Sequence, residues 1–412
     1  MTAENNLLTI CIIIPGKLPV PAIMGGAVET LVTYIIDINE EQKKFNFIII
    51  SAYGSGVEKY QKKYKYTTFR YISTNNIISK FVNGINYVIS KISSNVDCFS
   101  TPFHWKVKKI FKEINADYVV VEHGVFKHFG WLRGYFNRDK IYLHIHGASI
   151  KPDKEIKDTY GNIITVSDFV RDTWINGYNI INSNFYVCKN GVDERYFSDR
   201  ITAPMRKKYR SRMNVKEEDI LIVYCGRLIK IKGIRELMEA VLKIDNPHIK
   251  LMIIGSSNFK NSRVKKYEKD LLNIVSKSNK RIFFTGYIDN NELYRYYQCG
   301  DIQCCPSLCE EGALLVGIEA MMSGLPLIVT NSGGCTEYIN TGCAVIIDKK
   351  NSLYNEKDRE KFVQELKGSI TRLAANKELR KKMGENSEKT SIHYTRKEFF
   401  DSFTSIFEER NI

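Results

Sequence analysis

Cys305-Pro-Ser-Leu-Cys-Glu-Glu311-Gly-Ala-Leu-Leu-Val-Gly-Ile-Glu319-Ala-Met-Met-Ser-Gly324-Leu-Pro326-Leu-Ile-Val-Thr330-Asn-Ser-Gly-Gly334-Cys-Thr-Glu337 carries the densest information in the chain. A short apolar strand, Asp301 to Cys305, runs into a Pro-Ser turn. The pattern then predicts a helix opening near Gly312, with Leu315, Ile318, Glu319 and Met322 at helical spacing. Gly324 stops that helix and Pro326 begins a new strand. On a continuous helix from Glu311, Glu319 would lie about 12 Å along the axis and about 80° round from it. Both carboxylates would then face one cleft, with free N–H groups of the helix N-terminus between them for an anion. A sugar joined to a ribose through a diphosphate has about that length. Taken alone, the same spacing also describes a surface helix carrying two solvated glutamates.

Outward from this stretch, short apolar runs alternate with helical patterns. In the first half they are Leu8–Ile14, Phe47–Ser51, Tyr118–Val121, Ile141–His146, Asn162–Val166 and Phe185–Cys188. In the second half they are Ile220–Cys225, Lys250–Ile254, Arg281–Thr285, Ile302–Cys305, Leu327–Thr330 and Ala344–Ile347. Alternation of this kind makes buried parallel sheets with helices on both faces. The fold class is therefore α/β, and the strands are too many for one comfortable sheet, so two doubly wound Rossmann-like domains are expected. The polar stretch Asn190–Ala203 separates the series. The boundaries are placed at 1–195, 196–390 and a terminal helix, 391–412.

The 412 residues are 43% hydrophobic, enough for two cores, and carry a net charge of +15. That excess suits an anionic partner. It gathers in Lys59–Tyr66 and in His104–Lys112, where Val107, Ile110, Phe111 and Ile114 form an apolar stripe flanked by lysines. Such a helix can pack on its sheet with a solvated rim, or hold an anionic lipid surface. No nucleic-acid-binding signature accompanies the charge, so nucleic acid is not expected as a partner. Ten cysteines lack the spacing of a secreted scaffold, Met1–Asn6 has no cationic leader, and Leu7–Ile14 is too short to span a bilayer. A cytoplasmic protein with no integral anchor is expected, peripheral on the cell membrane's inner face at most. Cys299, Cys304, Cys305 and Cys309 lack a Cys-x2-Cys knuckle and read as small buried residues.

Glu311-x7-Glu319, Ala320-Met-x-x-Gly324-x-Pro326 and the strand ending in Gly333-Gly334-x-x-Glu337 together resemble the retaining, nucleotide-sugar-dependent glycosyltransferases of the GT-B fold, bacterial group 1 or family 4 type. Gly226-Arg227-Leu228 followed by Lys232-Gly233 matches that family's Gly-Arg-Leu-x-x-x-Lys-Gly motif. The resemblance covers most of the chain. It implies two facing domains and a terminal helix returning to the first, for which Phe399, Phe400, Phe403, Ile406 and Phe407 supply an apolar face. It implies transfer of a hexosyl unit, from a nucleotide sugar with UDP the expected base, to a glycan or lipid-linked hydroxyl acceptor in bacterial surface polysaccharide or glycolipid synthesis. One departure is that Ala313 and Leu314 stand where the family has Phe-Gly, so the identity of the sugar does not carry over.

Residue roles follow from the same resemblance. Arg227 and Lys232 hold the diphosphate as charge develops on it, a task fixed cations perform without a metal. Glu319 holds the ribose, and Glu311 the sugar hydroxyls. Backbone at Leu314 and Leu315 meets the donor sugar, Gly226 opens the phosphate turn, and Gly286 and Ile288 border the base. From the first domain, Gly25-Gly26 ahead of a helix face the donor phosphate and acceptor. His146, at a strand end, sits by the reacting sugar. His144, two residues deeper, reads as a satisfied core histidine, and His123 could approach the acceptor. No Asp-x-Asp occurs, so no metal and no further cofactor is expected. Two other classes fit parts of the pattern: an epimerase or phosphorylase on the same architecture, and a basic nucleic-acid- or membrane-binding protein with a degenerate site.

Overall fold

The computed structural model describes residues 7–16, 18–73, 77–92, 100–124, 126–147, 151–197, 199–255, 266–349, 352 and 354–408. Met1–Asn6, where a leader was sought, lie outside them. The chain forms two compact units. One is Met1–Lys189 with Phe399–Ile412, and the other is Asn190–Glu398. The expected boundaries at 195/196 and 390/391 thus move outward in both directions. Val192 is the reason: its N–H donates to Tyr394 O at 2.9 Å and its carbonyl accepts from Arg396 N at 3.0 Å. The two connecting segments are therefore clamped together within the second unit.

The first unit holds seven parallel strands: β1 (Thr9–Ile13), β2 (Asn46–Ala52), β3 (Thr67–Ile72), β4 (Tyr118–Glu122), β5 (Ile141–Ile145), β6 (Asn162–Thr165) and β7 (Asn184–Val187). Their order is β3-β2-β1-β4-β5-β6-β7. Central strands such as Tyr118-Val-Val-Val-Glu122 are buried throughout, as helices on both faces require. β3, Thr67-Thr-Phe-Arg-Tyr-Ile72, was not expected from the sequence. It is an edge strand whose alternating exposure lacks the continuous apolar run of the others. Phe399, Phe400, Phe403, Ile406 and Phe407 are buried in this unit's core beside Ile10, Val120 and Tyr142, so the terminal helix Arg396–Glu408 completes the first unit as expected. Phe407 packs against Tyr142 with ring centroids 4.8 Å apart and planes tilted by 50°.

The second unit holds six parallel strands: β8 (Ile220–Cys225), β9 (Ile249–Ile254), β10 (Ile282–Gly286), β11 (Ile302–Cys305), β12 (Leu327–Thr330) and β13 (Ala344–Ile347). Their order is β10-β9-β8-β11-β12-β13. In each sheet the strand order reverses once, between β1 and β4 and between β8 and β11. Loops leaving the carboxyl ends of those strands diverge and leave a crevice, which is where open α/β sheets take ligands.

Candidate active site

In the second unit the crevice is built from the loops after β8 and β11. β8 ends at Cys225, and Gly226 turns the chain with φ +151°, a value side-chain-bearing residues rarely adopt. Arg227 follows, exposed, its carbonyl accepting from the Tyr224 hydroxyl at 3.1 Å. Its guanidinium has no acidic partner among the described residues. Lys232 closes a short 3-10 turn, and Gly233 caps the helix Ile234–Leu242 with φ +66°. A Cβ on Gly233 would stand 1.9 Å from the carbonyl oxygen of Pro306, so only glycine lets the two loops meet here. Leu308 N–H donates to Ile231 O at 2.8 Å and fastens them.

That fastening brings Lys232 Nζ to 2.5 Å from Glu311 Oε1. The Ser307 hydroxyl donates to the same oxygen, and Cys309 Sγ lies 4.0 Å away. Glu311 is 8% exposed. Its backbone carbonyl accepts from Gly334 N at 2.8 Å, and Thr330 Oγ1 donates to Ser307 O at 2.8 Å. The end of β12 and its Gly-Gly turn thus hold the Glu311 loop from behind.

One sequence expectation needs correction. The helix begins at Leu315, with Leu314 as its cap residue, rather than near Gly312. Glu311 is held off the helix by Lys232, Ser307 and Gly334, so helical rotation does not relate it to Glu319. Leu314 turns its side chain into the core, and Leu315 starts the turn whose N–H groups lack intrahelical acceptors. Glu319 lies on the helix proper, and Tyr297 Oη donates to its Oε2 at 2.8 Å. Burial raises the Glu319 carboxyl to about 7, against the opposing pull of that hydrogen bond. Gly286 ends β10 with φ +76°, its carbonyl accepting from Gly255 N at 3.0 Å, and Ile288 is partly buried against the core. Arg227, Lys232, Glu311, Glu319, Gly226, Gly286, Ile288, Leu314 and Leu315 all belong to this unit. Of their charged side chains, Lys232 and Glu311 form an ion pair with each other.

The first unit assembles its own cluster at the β1/β4 reversal. Gly25 and Gly26 adopt φ +77° and +104° ahead of the helix Ala27–Gln42. Glu29, in that helix's first turn, presses its carboxylate against Gly26, where a Cβ would stand 2.2 Å from Oε2. Burial first, and the Glu122 charge as well, lift Glu29 to about 7 despite a backbone hydrogen bond. Glu122 ends β4 and is fully buried; its Oε1 lies 3.1 Å from His144 Nδ1 and its Oε2 2.9 Å from His146 Nε2. Burial would raise the Glu122 carboxyl, but His144 and then His146 outweigh it and bring it down to about 2. His146 is pushed down, by burial first and then by the nearby His144 charge. His123, whose Nδ1 accepts from His146 N at 3.3 Å, is lowered by burial to about 4. His144 is buried as expected but only half satisfied, because its Nε2 has no partner. Cys299, Cys304 and Cys305 are buried as read, and Cys309 is partly exposed. Among the described residues the converging metal-type donors are Glu122, His144 and His146, their ligand atoms within 4.8 Å of one another.

Sequence reasoning passed over Ser307, Tyr297, Glu29 and the carboxylate of Glu122. For Glu122 a signal existed: it pairs in register with His144, so a strand-end acid beside a His-x-His strand end was readable.

The family model for glycosyl transferases group 1 matches residues 205–390, which contain the Lys232–Glu311 pair and Glu319. Over 350 residues the chain is 25% identical to spore coat protein SA of Bacillus subtilis, covering 81% of this chain and 84% of that one. It is 22% identical to a lipopolysaccharide 1,2-N-acetylglucosaminetransferase of Salmonella typhimurium, covering 65% and 72%. In fold it is similar to Anabaena HepE solved with UDP-glucose (TM-score 0.73, 14% identity, 98% and 100% covered). A Rickettsia africae glycosyltransferase matches with a TM-score of 0.70 at 20% identity, with 98% of each chain covered. Group 1 sequence over residues 205–390 and the GT-B order of strands within each unit agree: the chain is a glycosyltransferase whose second unit carries a group 1 domain.

Proposed function

We propose that the protein transfers a hexosyl unit from a UDP-sugar to a hydroxyl acceptor, with retention at the anomeric carbon and without a metal. The observation carrying this reading is Lys232 paired with Glu311 at the β8/β11 reversal, in the loop that also carries Arg227, whose guanidinium has no acidic partner among the described residues. Arg227 takes the diphosphate. Lys232 bridges it to Glu311, which meets the sugar hydroxyls, while Glu319 meets the ribose and Gly286 and Ile288 the base. Gly25, Gly26 and His146 act from the first unit, His146 at the sugar. The UDP-glucose complex of HepE supports a UDP-sugar donor. The Salmonella relative and an alpha-monoglucosyldiacylglycerol synthase of Acholeplasma laidlawii, 22% identical over 226 residues, support a surface glycan or glycolipid acceptor.

An anionic membrane surface belongs to the same reading, for an enzyme working at the inner face of the cell membrane. The helix Ile77–Ile92 exposes Ile77 at 85%, Phe81 at 68% and Ile78 at 57%, and the helix Pro102–Phe111 exposes Trp105, Lys106, Lys108 and Lys109. Exposed apolar residues beside lysines are what an interfacial helix offers. No helix among the described residues is long and apolar enough to cross a membrane.

The test is a thermal-shift screen of UDP-, GDP- and ADP-sugars, followed by product analysis at the anomeric carbon. A ligand at a hundred times its Kd stabilises the native state by about 2.7 kcal/mol. Stabilisation by UDP-sugars and a retained anomer are expected. Sugar release or rearrangement at full rate without an acceptor would point instead to an epimerase or phosphorylase.

A further inference from the structure

We propose that Glu122 is a positioning residue: it holds His146 as the Nε2–H tautomer and so presents the bare Nδ1 as an acceptor for a substrate hydroxyl. The proposal rests on the reading of His146 as a residue at the sugar.

An ionised carboxylate has no hydrogen to give. Each Glu122 oxygen takes one imidazole, at 3.1 Å from His144 Nδ1 and 2.9 Å from His146 Nε2, so both nitrogens facing it must carry hydrogen. A neutral His146 then keeps its lone pair on Nδ1, which has no partner among the described residues. The backbone of His146 is fixed as well, since its N–H donates to His123 Nδ1 at 3.3 Å, and its ring packs on that of His144 with centroids 4.2 Å apart. Side-chain exposure is 1% for Glu122, 1% for His144 and 10% for His146, so the triad opens only at His146. His144 contributes by being a second donor: it leaves Glu122 no free oxygen on which to carry a proton towards His146. The charged and titratable groups around His146 are Glu122, His123 and His144 on the two strand ends. Glu29 acts on them through Glu122 from the helix Ala27–Gln42. Phe403 of the terminal helix, its ring 6.1 Å from that of His144, adds no charge.

A glutamine at position 122 cannot do this work. Its amide offers one oxygen and one NH2, so one of the two imidazoles must present a bare nitrogen to it. Where that imidazole is His146, Nδ1 becomes the donor.

The experiment uses the full chain with 15N-labelled histidine rings, in the wild type, Glu122→Gln and His146→Ala. In the wild type the His146 signals should report hydrogen on Nε2 from pH 6 to 8. Glu122→Gln should move them towards a mixture of tautomers, shift the acid limb of the kcat profile, and lower kcat about ten- to a hundredfold with less change in donor KM. Hydrogen on Nδ1 of wild-type His146 at pH 7 overturns the proposal whether or not the variant folds. So does an unchanged tautomer in folded Glu122→Gln, or stoichiometric Zn²⁺ uptake by the wild type, which would make the triad a metal site. Wild-type turnover in His146→Ala overturns the reading of His146 instead, and leaves the tautomer result to stand by itself.

Discussion

Lys232 Nζ donates to Glu311 Oε1 at 2.5 Å, although the motif logic assigns one to phosphate and the other to sugar. Side-chain exposures of 21% and 11% place the pair partly out of water, where losing one partner strands the other. On the proposed reading the two residues form one device at the junction between phosphate and sugar, with Ser307 as its third member.

Coupling between them is the first prediction. Lys232→Ala and Glu311→Gln should each cut kcat/KM by about ten- to a hundredfold, a loss of about 1.5–3 kcal/mol. The double variant should lose less than the two effects combined, because each single change already breaks the pair. Additive losses in a double-mutant cycle would show two independent contacts. Arg227→Lys should also weaken turnover, since a point charge does not reproduce a bidentate fork.

Glu319 gives a pH prediction. Its folded-state value of about 7 stands above the usual glutamate value. A carboxyl raised on folding stabilises while protonated: the contribution is whole below the unfolded value and is lost as pH rises through about 7. Glu319→Gln should therefore raise Tm relative to wild type at pH 8 and leave it nearly unchanged at about pH 4, below the unfolded value. Donor KM should rise and kcat should move little, because a ribose contact is much the same in ground and transition states. A Tm difference independent of pH would contradict the first expectation, and a collapse of kcat at saturating donor the second.

Turnover should persist in EDTA, since on the proposed reading Arg227 and Lys232 supply the positive charge a metal would otherwise bring. Activity abolished by chelation and restored by Mg²⁺ or Mn²⁺ would contradict this.

Vesicle binding should depend on both faces of the first unit's surface. Phe81→Glu should weaken binding to anionic vesicles with the donor's thermal shift unchanged. Binding should also fall as salt shortens the Debye length below about 8 Å. Equal binding to neutral vesicles, or none at low salt, would remove the membrane from the proposed function.

Phe403→Ala should cost about 3–5 kcal/mol, the usual range for a buried phenylalanine. Phe403 is fully buried. Chemical unfolding followed separately through each unit should show the loss in the first unit. An equal effect on the second would mean that the helix Arg396–Glu408 stabilises both.

Much of this was readable in residues alone. Twelve strands announced themselves as short apolar runs, whereas β3, half-exposed at an edge, had no such run to show. Lys232-Gly233 and Gly333-Gly334 were visible as a pattern. Their reason was not, because a steric meeting of Gly233 with the Pro306 carbonyl lies across more than seventy residues of sequence. Glu311 was misplaced onto a helix for a related cause. Helical periodicity reports local preference, and two tertiary hydrogen bonds from Lys232 and Gly334, with a local one from Ser307, overrule it. Glu29 gave no sign of its burial, since a carboxylate's environment is written by its neighbours in space.

The division of the chain has a consequence for how the protein is made. Phe399 to Phe407 belong to the first unit, yet the whole of Asn190–Glu398 is synthesised before them. At about 5–20 residues per second, a ribosome needs roughly 10–40 s to cross that insertion. Throughout that interval the nascent first sheet stands without the aromatic helix that covers Ile10, Val120 and Tyr142. The second unit, contiguous in sequence, can mature during the wait, so it is the later-encoded half that is expected to finish first. An arrest-peptide series along the messenger should find it protease-resistant while the earlier half is still cleaved.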